Sequence, residues 1–500
     1  MIQIDPNLVR RGPVMGHARI AAACLAVLNL ALGQDAKPSA PRPAPFTRVT
    51  TPDGSDFVLV RDGRQYAAPV VHWVTWIPTG PDEDLVGAEG LARAVVRASL
   101  DGSASTGSID GDREQAALDK LDELQRLAAS ATGIRASEIA EDIPATVAAA
   151  AALGIPDAWR RALARAGALE VELEEVDGAS LLIVTFPTEA LPEVAVLQWE
   201  RREEPLLRGL REHFVAVRES MRAAAESPSG RMIAEVLGAT FPGAAAARPL
   251  ATEPRVFSRN EALNQFRAIH HPSRCVHVLS GGFDPEVIQQ VLTAVFAATK
   301  LPATAPPPRP TPAASLGRHS VLAGGTQYGV AIAWPLPAGV APATMRATAD
   351  WLAGGRSSLL AAGLRGAGLG DVSVRYVLPL PDRAEPGLLL LEILGELRHP
   401  RGEELEPTAL KLITAAAQRG PTGGELSRVH AHGLVESSGW RASPRATALA
   451  AARAAAAGPA ALDAAFAAVQ WPGGEELKDA AARLEASPQR TVVVLKGGAR

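Results

Sequence analysis

Histidine, cysteine and serine are the residues here that could do chemistry, and their spacing limits what chemistry that would be. A tetrahedral zinc takes two imidazoles from one helical face when they stand one turn apart. Among the ten histidines, His430 and His432 are two apart on an expected helix and point to different faces. His213 and Glu219 are six apart and also diverge, while His270 and His271 are adjacent in a turn sequence and His72 stands alone in a strand-like run. Each is expected to be an ordinary structural or surface histidine. A nucleophilic serine needs a G-x-S-x-G elbow. Ser280-Gly281-Gly282 and Gly355-Arg356-Ser357 are turn sequences without that spacing. Gly281-Gly282 and Gly324-Gly325 are not phosphate loops, since no G-x-x-x-x-G-K-[ST] occurs. Of the two cysteines, Cys24 lies in an apolar N-terminal run expected to be removed, so Cys275 remains alone and no internal disulfide can form.

The 500 residues are too many for one ordinary core, so two or more domains are expected. A hydrophobic share of 47% and a charged share of 21% are normal for a globular chain. The formal net charge of −4 lacks the basic footprint of a nucleic-acid binder. Alanine is abundant, and Ala-rich segments read as helical whether or not they pack. Arg10, Arg11 and Arg19 precede the apolar run Ile20 to Leu32, and Ala31-Leu32-Gly33 supplies a small-x-small cleavage site. Residues 1–33 therefore read as a signal peptide whose loss leaves Gln34 first, with Met15 as an alternative start. The run is short for a membrane anchor. Export to the periplasm or the medium is expected. Residues 34–47 read as a Pro/Ala tether.

Beyond the tether, strands are expected at Phe57–Val60 and Val70–Ile77. A helix follows from about Leu91. Leu118, Leu121, Leu124 and Leu127 repeat at helical spacing with charges between them, which predicts an amphipathic helix. A further helix covers Trp159 to Ala166, then a strand Ser180–Pro187. One long helical stretch runs through Leu197, Trp199, Leu206 and Val217 toward Phe241-Pro242-Gly243. A second unit is expected from Arg255, with helix, strand, turn and helix in succession. Residues 303–317 are Pro-rich. Strands at Gly329–Trp334, Val372–Leu378, Gly387–Leu394 and Arg490–Leu495 and a helix Ala343–Leu352 complete it. Two units of similar length and mixed order suggest a duplicated α+β architecture.

The segment WVTWIPTGPDEDLVGAEGLARAVVRASLDGS resembles the signature of the pitrilysin/insulinase family of zinc metallopeptidases. There a strand and an acidic turn lead into a helix carrying the inverted motif H-x-x-E-H. Gly90-Leu91-Ala92 and Gly102-Ser103 match its frame, and TGSIDGDREQAALDKLDEL is similar to the helix that follows. REHFVAVRESMRAAAESPSGRMIAEVLGATFPG resembles the helix bearing the third ligand. RNEALNQFRAIHHPSRCVHVLSGGFDPEVI and Gly354 to Leu360 resemble segments of the family's second domain. The ordered set spans most of residues 48–500. It implies two successive domains, 48–254 and 255–500, each a mainly antiparallel sheet with helices packed on it, together forming one clamshell half.

The same resemblance places the first His of the motif on Arg93, the Glu on Val96 and the second His on Arg97. Arginine carries no lone pair to donate and is always protonated, so it repels a cation. Glu219 matches the third ligand and is expected to pair with Arg93 or Arg97. No cofactor is implied, zinc included, unless the motif lies elsewhere. The family's edge strand that pairs with peptide falls on Glu172 to Glu175. Arg365 matches a substrate-facing arginine, with Val372 where a tyrosine would stand. Arg93, Arg97 and Arg365 together imply a cationic cavity that favours acidic peptides. The expected function is that of an inactive homologue holding peptide for an active partner. The alternatives are a stand-alone peptide-binding homodimer and a protease with a non-standard site.

Overall fold

The computed structural model describes residues 46–64, 69–176, 178–297, 317, 319–325, 327–337, 339–370, 373–377, 388–395, 401–467 and 471–497. The expected signal segment, tether residues 34–45, residues 303–316 of the Pro-rich segment and Val372 lie outside them. Strands are β1 Thr47–Thr50, β2 Asp56–Arg61, β3 Val70–Pro78, β4 Glu170–Val176, β5 Ala179–Pro187, β6 Val276–Gly281, β7 His319–Gly325, β8 Gly329–Pro335, β9 Ser373–Val377, β10 Leu388–Leu394 and β11 Thr491–Gly497. Helices are α1 Leu91–Ala98, α2 Gly111–Ala128, α3 Ile134–Ala151, α4 Ala158–Arg165, α5 Leu191–Glu203, α6 Leu210–Glu226, α7 Pro228–Thr240 and α8 Arg259–Ile269. They continue as α9 Pro285–Val295, α10 Pro342–Ala353, α11 Leu359–Gly366, α12 Leu405–Arg419, α13 Gly423–Arg441, α14 Pro444–Ala456, α15 Pro459–Phe466 and α16 Gly474–Glu485.

The chain forms two compact units, each built on one sheet. The first draws on Met1–Arg218, Ala251–Pro307 and Ala442–Phe466. Its sheet runs β1-β2-β6-β3-β5-β4, antiparallel except for β2 with β6. The second draws on Glu219–Leu250, Pro308–Arg441 and Ala467–Arg500, with sheet order β7-β11-β8-β10-β9, antiparallel except for β11 with β7. The α+β expectation of two mainly antiparallel sheets with packed helices is met.

The units are not the contiguous halves 48–254 and 255–500. β6, expected to open the second domain, lies between β2 and β3 in the first sheet. Its Val278 and Leu279 face opposite sides of the sheet, and both are fully buried. A strand apolar on both faces needs a central place, and this one takes it. Conversely, Met232 and Val236 of α7 pack on Ala331, Ala333, Val493 and Leu495 of the second sheet.

The single long helix expected from Leu197 to Phe241 is three helices. Pro205 and the left-handed residues Leu207 (φ 50°) and Gly209 (φ 58°) separate α5 from α6. Ser227, accepting from Gly230 N at 3.0 Å, and Pro228 restart the chain as α7. α3, with Pro144 inside it, and the Ala-rich α14 and α15 carry little periodic signal, and β1 and β7 are edge strands.

In the first unit, Trp73, Trp76, Leu182, Ile183 and Phe186 of β3 and β5 form the centre of the core. β3 and β5 pair along nine residues from Val70↔Pro187 to Pro78↔Ala179. That central pair fixes both the turn leading into α1 and the hairpin partner β4, the two elements that carry the aligned site residues.

Candidate functional site

α1 is short, and its sequence explains both of its faces. Leu91, Ala92, Ala94, Val95, Val96 and Ala98 are buried, leaving Arg93 and Arg97 one turn apart on the remaining face. Gly90 enters the helix with φ 95°, where a glycine avoids the left-handed penalty. Asp84 accepts from Gly90 N and Ala92 N, both at 2.8 Å, and so satisfies donors that the helix start leaves free. Burial pushes the Asp84 carboxyl up to about 6, although those two amides and Arg93 pull it back down.

Arg93 and Arg97 reach across to β4. Arg97 donates through Nε to Glu175 Oε1 at 2.7 Å, and its Nη2 lies 2.5 Å from the same oxygen. Arg93 Nη1 stands 3.7 Å from Glu175 Oε2. Both guanidiniums therefore share one carboxylate. The expected partner was Glu219, and the structure corrects this: Glu219 is exposed on α6 and has no ion pair among the described residues. A carboxylate on the strand facing α1 meets both arginines directly, whereas Glu219 points to solvent. Val96 is fully buried in the core.

These residues do not fit a zinc ion. Two protonated guanidiniums occupy the aligned ligand positions, and the one carboxylate between them is already bonded. Among the described residues no group of three or more His, Cys, Asp or Glu side chains could hold a metal.

The histidines have structural roles. His72 Nδ1 lies 2.9 Å from Thr185 Oγ1. His213 meets Asp101 at 2.8 Å, His430 meets Pro472 O at 3.0 Å, and His432 pairs with Asp350 at 2.9 Å. His270 stacks on Phe266 with ring centres 3.8 Å apart and lies 3.3 Å from Arg201 Nη1. Burial, then the charge of Arg201, holds His270 well below the usual imidazole range.

Glu172 lies on β4, the outermost strand of its sheet, as the resemblance implied. Arg445 of α14 donates to Glu172, and also to Glu174 at 3.1 Å, with Glu170 at 3.8 Å. No periodic or motif signal joined Arg445 to β4. The available signal was Ser443-Pro444 before an alanine run, a helix start that the Ala-rich composition hides. Arg365 lies on α11 in the second unit, exposed, with Nη2 donating to Arg356 O at 3.5 Å. Of the two guanidiniums expected to make a cationic surface, Glu175 balances one; Glu170, Glu172 and Glu174 stand on the other face of β4 with Arg445.

The Arg97–Glu175 pair is about one-third to one-fifth exposed, so it is worth about 1 kcal/mol or less. Replacing Glu175 with Gln is expected to lower the melting temperature by only about 2–4 °C. A drop beyond about 8 °C by circular dichroism would mean that the triad holds α1 in place rather than merely neutralising it.

No model of a known protein family matches the sequence, and no curated protein matches it. Solved structures do. A protease from Helicobacter pylori overlays 90% of this chain and 99% of its own, with TM-score 0.67 and 13% identity. A peptidase M16 inactive domain from Pseudomonas fluorescens overlays 91% of this chain and 99% of its own, with TM-score 0.62 and 13% identity. Pitrilysin overlays 93% of this chain with 46% of its own, with TM-score 0.59 and 13% identity. Among the described residues no helix is long and apolar enough to cross a membrane. The fold of this chain is thus the one shared by these peptidase structures, corresponding to about half of pitrilysin.

Proposed function

We propose that this chain is an exported, catalytically inactive relative of the pitrilysin/insulinase metallopeptidases that holds peptide as the non-catalytic subunit of a peptidase complex. The observation that carries the reading is the Arg93–Glu175–Arg97 cluster, in which ligand-aligned positions are filled by cations bonded to a carboxylate. A general base beside a metal-bound water would require a carboxylate at position 96, which is instead a buried valine. What remains is an open edge strand, β4, suited to pairing with an extended segment through its backbone. Two likenesses support the reading: one neighbour is described as an inactive peptidase domain, and the overlay on pitrilysin accounts for 46% of that chain. A body of pitrilysin's size needs a second half, and an active homologue is the proposed source.

Two measurements test this. Elemental analysis of the purified mature chain is expected to find no stoichiometric zinc, and unstructured peptides should stay uncut. About one zinc per chain, removed by chelator together with activity, would overturn the reading. Mixed with a homologue carrying an intact H-x-x-E-H, the chain should form a larger species and change peptide hydrolysis. A chain that self-associates and leaves the homologue unaffected would instead be a homodimer acting alone.

A further inference from the structure

Resting on the peptide-holding reading, the charge pattern of β4 says which peptides it would take. Among the described residues β4 pairs only with β5. Val171 turns its carbonyl to the outer side, where Arg160 Nη1 donates at 2.9 Å. Backbone groups in an antiparallel ladder alternate in direction. Leu173 and Glu175 therefore present N–H and C=O to the same outer side, and among the described residues no strand covers them.

Side chains along β4 alternate between the two faces of the sheet. Glu170, Glu172 and Glu174 share one face, where three carboxylates meet the single guanidinium of Arg445. His72 lies within reach of that charge. Burial, then Arg445, holds its imidazole below the usual range, so it adds no cation at neutral pH. Glu175 takes the other face with Arg93 and Arg97, and the buried carboxyl of Asp84 stands near Arg93. One face is near balance and the other has an acid surplus. A residue in an added strand points to the same face as the residue opposite it. Partners of Glu172 and Glu174 are therefore two positions apart.

We infer that β4 takes an extended segment carrying Lys or Arg at alternate positions, with the basic side chains over Glu172 and Glu174 and sharing those carboxylates with Arg445. A charged edge can also serve only to discourage strand pairing, and the experiment separates the two.

The full mature chain is titrated with fluorescent seven-residue peptides alternating Thr with Lys, with Gln or with Glu, and with a Thr/Lys peptide that carries the same three lysines at every third position, so that no two stand two apart. The alternating Lys peptide should bind about tenfold more tightly than the Gln peptide, since two cross-strand charge pairs are gained. The margin should shrink as salt rises. E172Q/E174Q should abolish the margin, whereas R445Q should widen it because the internal competitor is gone. Loss of fold would weaken every peptide alike, so opposite shifts from the two variants cannot come from misfolding. Equal binding of the alternating and every-third lysine peptides, or variants that leave the margin unchanged, overturns the charge assignment. If the Gln peptide binds while charge makes no difference, the edge still holds peptide. If no peptide binds, including the neutral one, the peptide-holding reading itself falls.

Discussion

Replacing Arg202 with Met is expected to be the most damaging single change in the first unit, costing about 3–5 kcal/mol. Its side chain is 4% exposed, and the carboxylates of Asp53 and Glu203 beside it are fully buried. Nη2 lies 2.5 Å from Asp53 Oδ2, Nη1 donates to Ser55 Oγ at 2.7 Å, and the guanidinium sits 4.9 Å over the Phe296 ring. Methionine restores much of the volume but leaves Asp53 with no cation in a site closed to water. At about 2–4 °C per kcal/mol, the melting temperature should fall by about 10 °C.

The pH dependence identifies the cause. Burial raises the Asp53 carboxyl, but Arg202, Thr51 and the Ser55 amide together bring it below the usual range. A lowered folded-state pKa contributes stability that is present above the unfolded value and lost as pH falls through the folded one. The damage of Arg202→Met should therefore be greatest at neutral pH and shrink in acid. Adding Asp53→Asn to Arg202→Met should recover part of the loss. A single-variant drop under about 2 °C at pH 7 would show that solvent or a neighbour replaces the arginine.

What the sequence discloses about this chain follows the range of its interactions. β3 and β5 were legible because alternating aromatic and β-branched residues mark a strand without reference to anything distant. α1 was legible through its frame, Gly90-Leu91-Ala92, and so were its two cations, Arg93 and Arg97. Their partner was not. Glu219 was the nearest carboxylate by alignment, but Glu175 reaches α1 because the β4–β5 hairpin sets it on the outer strand beside β5, a contact across 78 residues for Arg97. Arg445 meets Glu172 across 273 residues, which no local pattern encodes. The domain boundary failed for the same reason. β6 reads locally as the start of a new unit, and only the pairing of Asp56 with Val276 through Arg61 with Gly281 places it in the first sheet. The Ala-rich α14 and α15 were missed differently, since alanine gives helix propensity without a marked face.

Asp84 should give the chain a second pH dependence, opposite in sign to that of Asp53. The residue is 8% exposed, and its carboxyl is pushed to about 6 from an ordinary value of 3.8, chiefly by burial. Between those values the folded chain binds the proton that the unfolded chain releases. Stability from this group is therefore fully present below about pH 4 and is lost as pH rises to about 6, a total of about 3 kcal/mol. The ionised form still accepts from Gly90 N and Ala92 N at the positive end of α1, and Arg93 lies nearby, so the helix start survives the charge at a cost. Asp84→Asn cannot ionise and keeps one oxygen for these amides. Chemical denaturation of both proteins at pH 4, 5, 6 and 7 should show the wild type losing stability relative to the variant as pH rises, with the change complete near 6. Parallel curves across that span would mean that Asp84 titrates normally, with water reaching it. A relative gain with rising pH would mean that the two amides and Arg93 outweigh burial. In the expected case the start of α1, and with it the placing of Arg93 and Arg97 over β4, is held most firmly in mild acid.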